Sequence, residues 1–361
     1  MRLPQLTGEE GAIDEPEATR MIRHAIDQGV NYVDTAWGYH GGQSEVVLGR
    51  ILQGGYREKV ALATKMPSWL IEKPEDFDHF FSIQLERLQT DRIDFYLLHT
   101  LNQGYWGKYL NHKIFDWAEK KRADGKIGHF GFSFHDDYEV FERIVKGYDH
   151  WDFCQIQYNY MDVDYQAGER GLKLAADRGL GVVVMEPLKG GRLAIEVPPT
   201  RVRQVFDRAD VQRKPAEWAL QWLWNQPEVG VVLSGMSTFE QVELNLASAS
   251  RSGVGSLTQE EVGLIEDARD AWQGLAPVAC THCEYCLPCP SDVLIPQIFA
   301  IYNNAVMYEL GERGKRMYQN QIPEENRADM CIECGACEDL CPQHLTIIDY
   351  LKDAHAFLKE A

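Results

Sequence analysis

Gly29-Val30-Asn31-Tyr32-Val33-Asp34-Thr35-Ala36-Trp37-Gly38-Tyr39 opens with a glycine, a short β-branched run and an acid, and the segments on either side of it decide the fold. Ahead of it a helical pattern runs from Pro16 to Ile26 and is ended by Gly29; proline near the first turn and glycine after the last suit the two ends of a helix. Val30–Asp34 reads as a strand, Ser44–Leu52 as a helix and Lys59–Lys65 as the next strand. Further strand-like runs lie at Ile93–His99, Ile127–Ser133, Phe153–Gln157, Gly181–Met185 and Val229–Leu233. Helical stretches such as Asp76–Leu88, Phe115–Asp124, Gly168–Arg178, Ala216–Trp224 and Phe239–Ala249 separate them.

Strands and helices alternating over a span close to the roughly 250 residues of a TIM barrel predict an α/β fold, a (β/α)8 TIM barrel. An open doubly wound sheet is the competing arrangement, but no Gly-x-Gly-x-x-Gly follows the first strand. Seven runs are strand-like, and Met1–Leu6 is all that remains for an eighth, so the barrel is expected with its first strand truncated. After Trp272 the text becomes rich in Cys and Pro, with helical pieces at Gln297–Leu310 and Ile347–Leu358. The expected domains are a barrel over 1–275 and a small ferredoxin-like appendage over 276–361.

The 361 residues are 45% hydrophobic and 25% charged, which rules out a disordered chain. A net charge of −19 repels phosphate backbones and anionic membranes, so nucleic acid and membrane are not expected partners. No apolar run approaches the ~18–20 residues that span a bilayer, and Met1–Gln5 lacks the apolar stretch of a signal peptide, so a cytoplasmic protein is expected.

Nine cysteines are present, and all but Cys154 fall in two tight runs. Cys154 sits in a strand pattern and reads as a small buried hydrophobe. The first run is Cys280-x2-Cys283-x2-Cys286-x2-Cys289-Pro290, the second Cys331-x2-Cys334-x2-Cys337-x3-Cys341-Pro342. A zinc site usually wants two separated pairs. Three cysteines at successive two-residue gaps, then a fourth followed by proline, match the bacterial two-cluster ferredoxin spacing, in which the fourth cysteine of each run ligates the other cluster. On that logic Cys280, Cys283, Cys286 and Cys341 hold one [4Fe–4S] cluster, and Cys331, Cys334, Cys337 and Cys289 the second. The first run departs from the spacing by one residue before its last cysteine, and residues 290–330 make a long connection.

The run from Gly29 to Tyr39, continued by Ser44-Glu45 and Leu48-Gly49, resembles the signature of the aldo–keto reductases. That resemblance implies a catalytic set of Asp34, Tyr39, Lys65 and His99. Asp34, Lys65 and His99 each close a predicted strand at its C-terminal end, where barrel active sites are built. The chemistry needs these types: hydride reduction of a carbonyl leaves an oxygen that must be protonated. A free tyrosine is a sluggish acid at neutral pH, and a neighbouring ammonium favours the phenolate. Lys65 plays this part towards Tyr39, Asp34 holds Lys65, and His99 orients the carbonyl and donates to the developing oxyanion.

The same resemblance implies a nicotinamide site. Ser133 and Gln155 match the residues that hold the carboxamide, although Phe134 and then His135 follow the serine where an asparagine is usual. Met185, Pro187 and Leu188 fall where the ring is covered. Ser234-Gly235-Met236-Ser237-Thr238 opens a helix that continues to Gln241 and Asn245, and Gly235, Ser237, Gln241 and Asn245 are the expected phosphate-binding positions. Ser237 or Thr238 also suits a helix cap. The cofactor is NADP or NAD, the choice being open. Trp37 and the loop Asn102–Gly107 are candidates for the substrate mouth, as are Tyr158 and Asn159; His40 reads as a surface histidine.

The resemblance extends to the C-terminal ferredoxin-type domain found in one branch of the family, whose text Cys331–Glu338 resembles. The family's first strand normally reads like Gly-x-Gly-x-Met-Arg-Leu-Pro, so Met1-Arg2-Leu3-Pro4 starts within it and its backbone contacts to nicotinamide are expected to be lost. The leading expectation is an NAD(P)-linked oxidoreductase interconverting a small carbonyl and an alcohol through Tyr39, with two [4Fe–4S] clusters as accessory carriers towards a redox partner protein. A lyase or epimerase using a retained nicotinamide for transient oxidation is the second reading, and an electron carrier or scaffold with a silent barrel the third.

Overall fold

The computed structural model describes residues 2–6 and 12–359. Seven parallel strands form one curled sheet in chain order. They are β1 (Tyr32–Asp34), β2 (Ala61–Met66), β3 (Ile93–Leu101), β4 (Ile127–Phe134), β5 (Phe153–Gln157), β6 (Gly181–Met185) and β7 (Val231–Val232). Helices α1 (Glu15–Asp27), α2 (Gln43–Ile51), α3 (Glu75–Leu88), α4 (Gln103–Asn111), α5 (Ile114–Ala123), α6 (Tyr138–Lys146) and α7 (Gly168–Asp177) alternate with the first six. Then come α8 (Thr200–Phe206), α9 (Pro215–Trp224), α10 (Phe239–Ala249) and α11 (Gln259–Gln273). Where eight strands were expected the described residues give seven, with no pairing of β7 back to β1 among them, so the sheet is a curled α/β half-barrel.

Local chemistry accounts for the element ends. The Asp14 side chain accepts from Glu17 N–H and caps α1 at 3.1 Å. Beyond α1, Gly29 takes φ +104°, and Val30 N–H returns to Ala25 O at 3.0 Å. Val30 therefore completes the helix end, and β1 starts at Tyr32 rather than at Val30. Arg2–Leu6 do not add a strand to the sheet: Gln5 makes an isolated antiparallel bridge to Ile13, and Leu3 is buried against Ala18, Val47 and Ile51. Met1, counted with them in the sequence, lies outside the described residues. The stretch 102–107, expected as a loop, starts helix α4 instead, because Asn102 Oδ1 accepts from Tyr105 N–H at 2.9 Å and caps it.

The chain divides into two compact units, Met1–Glu196 with Arg213–Val262, and Val197–Gln212 with Gly263–Ala361. Helix α8 and most of α11 thus belong to the second unit. That unit also holds α12 (Ile295–Met307), α13 (Gly311–Gln321), α14 (Ala336–Asp339) and α15 (Ile347–Leu358) around a core that includes Val293, Ile298, Phe299 and Leu351. Six of the terminal cysteines pack against this core. No helix among the described residues is long and apolar enough to cross a membrane.

Candidate active site and cluster sites

Each strand divides its side chains between two faces with period two. Val33, Leu62, Tyr96, Phe132, Cys154 and Val184 belong to the large core. Ala63, Leu97, Phe153 and Val183, with Tyr32, Phe95, Val231 and Leu233, form a separate cluster. Asp34, Lys65, His99, Gln155 and Met185 each lie two residues beyond a member of that inner cluster. Ser133 keeps the same phase on β4. The alternation therefore sets all six at the C-terminal end of the sheet on one face.

Lys65 is completely buried, and its Nζ donates to both oxygens of Asp34 at 2.7 Å and to Thr35 O at 2.8 Å. Burial alone pushes such an amine down, yet the Asp34 carboxylate, with Tyr39 adding to it, outweighs the loss and holds Lys65 above the usual lysine range. Nζ lies 5.2 Å from the centre of the Tyr39 ring, and that ring stands edge-on to His99 with centroids 6.1 Å apart. His99 is pushed well below the ordinary histidine range, first by burial and then by the Lys65 charge and His135. It is a neutral imidazole, and its Nδ1 is buried with no protein partner.

Beneath this group the signature residues brace the frame. Glu45 is fully buried; it accepts from Thr64 Oγ1 at 2.6 Å, from Gln84 Nε2 at 2.8 Å and from Arg87 Nη1 at 3.1 Å. Ser44 Oγ meets Thr35 Oγ1 at 2.9 Å. Gly49 lets α2 touch the end of α3: a Cβ there would stand 2.3 Å from Arg87 O. The register between β3 and β4 slips between Leu98 and Leu101, which brings His99 and Thr100 into the break. Thr100 takes φ 55°, unusual for a β-branched residue, and its N–H donates to Ser133 Oγ at 2.9 Å.

On the neighbouring strands Gln155 Nε2 donates to Met185 Sδ at 3.3 Å, while Gln155 Oε1 is buried without a partner. An orphaned buried acceptor is costly in a dry protein. A carboxamide N–H of nicotinamide is the donor it fits. Pro187 is buried, and Leu188 O accepts from Gly191 N–H at 2.9 Å and Leu193 N–H at 3.1 Å, shaping the glycine turn that follows. Gly235 lies against Arg2, whose Cγ would be 3.0 Å from a Cβ at that position. Ser237 N–H donates to Gln241 Oε1 at 2.8 Å, and Thr238 Oγ1 caps α10. Asn245 Nδ2 donates to Ser234 Oγ at 3.0 Å. Gln241 and Asn245 thus spend these contacts on the turn itself.

Several readings of single residues change. His40 is no free surface histidine: its Nε2 accepts from Leu3 N–H at 3.0 Å. Trp37 stacks edge-on against Phe80 and lies 3.8 Å from the Arg87 guanidinium carbon. Tyr158 is buried beside Trp222, and Asn159 braces its own loop through Asp162 and Glu186 O. Cys154 is fully buried, and burial pushes its thiol far up. Trp69, which the sequence did not single out, lies 5.2 Å from His99 and is 42% exposed, so it stands over the imidazole at the rim.

In the second unit a cavity is lined by Cys280, Cys283, Cys286 and Cys341 together with Pro296 and Phe299. Three cysteines of the first run and the last of the second therefore share one space. Cys331 and Cys286 both influence Cys337 electrostatically. Burial pushes the Cys286 and Cys337 thiols up to about 11, so a bound metal must deprotonate them. Among the described residues no three Cys, His or acidic side chains converge as a single ion requires. Thiols spread around a cavity suit a cluster, whose iron corners take one cysteine each.

A family model described as the aldo/keto reductase family matches residues 3–270, and one described as a 4Fe-4S dicluster domain matches residues 279–346. The chain belongs to the aldo/keto reductase family and is an oxidoreductase carrying a 4Fe-4S domain. Among relatives, it is 28% identical over 269 residues to an uncharacterized oxidoreductase of Bacillus subtilis, covering 63% of this chain and 81% of the other. It is 27% identical to the NADH-specific methylglyoxal reductase of Escherichia coli, over 66% of this chain and 84% of that protein. An aldo-keto reductase from Klebsiella pneumoniae, solved in complex with NADPH, superposes with a TM-score of 0.59 at 25% identity, covering 73% of this chain and 89% of that one.

Proposed function

We propose that the barrel reduces small carbonyl compounds, or oxidises the matching alcohols, with Tyr39 as proton donor and acceptor and NADP or NAD as hydride carrier. The observation that carries this reading is the fully buried Lys65, held charged by Asp34 and facing the Tyr39 ring next to a neutral His99. Bound nicotinamide supplies or accepts the hydride. Lys65 sets a positive charge beside the ring of Tyr39, where it faces the negative charge left as the phenol proton passes to the carbonyl oxygen. Asp34 keeps the ammonium in place. His99, uncharged, donates a hydrogen bond to the carbonyl oxygen and strengthens it as negative charge develops there.

Ser133 and Gln155 would hold the carboxamide, the orphaned Gln155 Oε1 being the group that supports this. Met185, Pro187 and Leu188 would flank the ring, and the Gly235–Asn245 turn, with Gly235, Ser237 and the first N–H groups of α10, would receive phosphates. The 4Fe-4S domain would hold two clusters, one on Cys280, Cys283, Cys286 and Cys341 and the other on Cys331, Cys334, Cys337 and Cys289. Each moves single electrons, so a redox partner protein is their proposed outlet. The test is NADPH or NADH oxidation by anaerobically prepared protein with short-chain aldehydes. Tyr39→Phe should lower kcat by about 10²–10⁴-fold while leaving nucleotide binding intact. A Tyr39→Phe protein as fast as the parent would overturn the assignment.

A further inference from the structure

The Nδ1 of His99 is buried without a partner, so no hydrogen bond at that atom fixes the imidazole. The structure grips the backbone beside it instead. One planar peptide unit carries both the His99 carbonyl and the Thr100 N–H. The N–H donates to Ser133 Oγ at 2.9 Å, and the carbonyl accepts from the Ser68 hydroxyl. Ser68 lies in the turn after β2 and Ser133 on β4, so the plane is held from both sides of β3. Regular pairing stops short of it. β2 pairs with β3 only as far as Met66 and Leu98, and the register with β4 slips between Leu98 and Leu101. Thr100 is left at φ 55°, a conformation that surrounding contacts must impose.

Behind Ser68 stands helix α4. Tyr109 is fully buried there, and its hydroxyl donates to Ser68 Oγ at 2.8 Å. The direction of this chain of bonds is fixed. A carbonyl oxygen only accepts, so the single Ser68 proton points to His99 and the Tyr109 proton points to Ser68. Hydrogen bonds in series polarise one another, which strengthens the contact at the His99 end. The preceding residue of α4, Lys108, donates from Nζ to Ser68 O at 3.0 Å and to Ile71 O at 2.9 Å. It thereby holds the turn on both sides of Trp69, whose ring lies 5.2 Å from that of His99.

We infer that Tyr109 and Ser68 are positioning residues for His99: their relay sets the peptide between His99 and Thr100, and with it the angle at which the imidazole meets the substrate carbonyl. The inference rests on the reduction proposed above, in which His99 donates to the carbonyl oxygen, and deepens it by naming what aims that donor. Both residues act through His99, from a helix that holds none of the catalytic set.

Tyr109→Phe removes one hydroxyl and keeps the ring that packs 6.0 Å from Phe77, centroid to centroid. With propanal and NADPH, kcat should fall about 10- to 100-fold, the scale of a donor misplaced by a fraction of an ångström to an ångström. Affinity for NADPH, read by tryptophan fluorescence, should stay unchanged. Ser68→Ala cuts the chain one bond nearer His99 and should lower kcat at least as far. In a His99→Ala background Tyr109→Phe should change kcat by less than about twofold, since no imidazole is left to aim. Histidine-selective 15N NMR gives a readout without turnover: the ring signals that vanish in His99→Ala should shift in Tyr109→Phe. Unmoved ring signals overturn the inference, and so does an equal loss of kcat with and without His99, which would make Tyr109 a packing residue only. If the parent protein reduces no aldehyde, the proposed reaction fails, and the ring signals alone then decide whether the relay aims His99.

Discussion

Lys65→Met is the substitution that asks most of the active-site reading. It removes an ammonium that is 0% exposed and leaves Asp34, whose side chain is 8% exposed, without its partner. Two charge-assisted hydrogen bonds to the carboxylate and one to Thr35 O disappear together. Removing one member of a buried ion pair costs about 3–5 kcal/mol, most of it the penalty of the stranded charge. Tyr39 simultaneously loses the cation that faces its ring, and the loss of an acid–base partner is worth about 10²–10⁴ in rate. Stability and rate therefore fall together, and a second variant separates them. Asp34→Asn combined with Lys65→Met removes both charges, so most of the lost stability should return while turnover stays low. Urea unfolding followed by tryptophan fluorescence and NADPH oxidation with a short-chain aldehyde read the two effects. The reasoning is refuted if Lys65→Met costs less than about 1 kcal/mol, the worth of an exposed pair, or if the double variant regains the parent rate.

Three further outcomes follow from the geometry. Gly49→Ala drives a Cβ to 2.3 Å from the Arg87 carbonyl oxygen and should destabilise the barrel by about 1–3 kcal/mol, read as a lower urea midpoint. His99 titrates well below 6.5 when folded, because of burial and then Lys65, so the unfolded chain binds a proton that the native site refuses. Stability should therefore fall as pH drops below about 6.5, by up to ~1.4 kcal/mol per pH unit from this group until its native value is reached. His99→Asn should flatten that slope in thermal melts between pH 7 and 5. Cys341→Ser should remove the same cluster as Cys280→Ser, giving matching spectra and about four irons retained in each, whereas Cys331→Ser should spare the cluster on Cys280.

The strands were most legible where β-branched runs such as Val182–Val184 stand, and Asp34, Lys65 and His99 were legible because each lies at or near a strand end, with Tyr39 in the turn that follows β1. What it left unread has a common cause. Helix α4 begins on a single side-chain cap at Asn102, a signal one residue long. The lateness of β1 depends on Val30 closing the preceding helix, a bond that no periodicity announces. Gln241 and Asn245 carry the right chemistry for phosphate, yet folding brings Ser237 N–H and Ser234 Oγ within reach of them first. Trp69 and Gln166 stand outside any strand pattern, and only packing brings them to His99 and His135.

The same contrast runs through the candidate site itself. Asp34, Lys65 and His99 sit on strands, so the inner-face phase fixes them. Thr100 at the slipped end of β3, Glu186 directly after β6 and Gln166 just ahead of α7 each take positive φ, a conformation that costs about 1–3 kcal/mol and persists only if surrounding contacts impose it. Thr100 spends that strain on holding Ser133, and Gln166 spends it on holding His135. The buried acceptor left over on Gln155 is one that a bound cofactor would satisfy. The residues that frame the site are thus held in part against their own backbone preference, and it is the surrounding contacts rather than local propensity that keep them there.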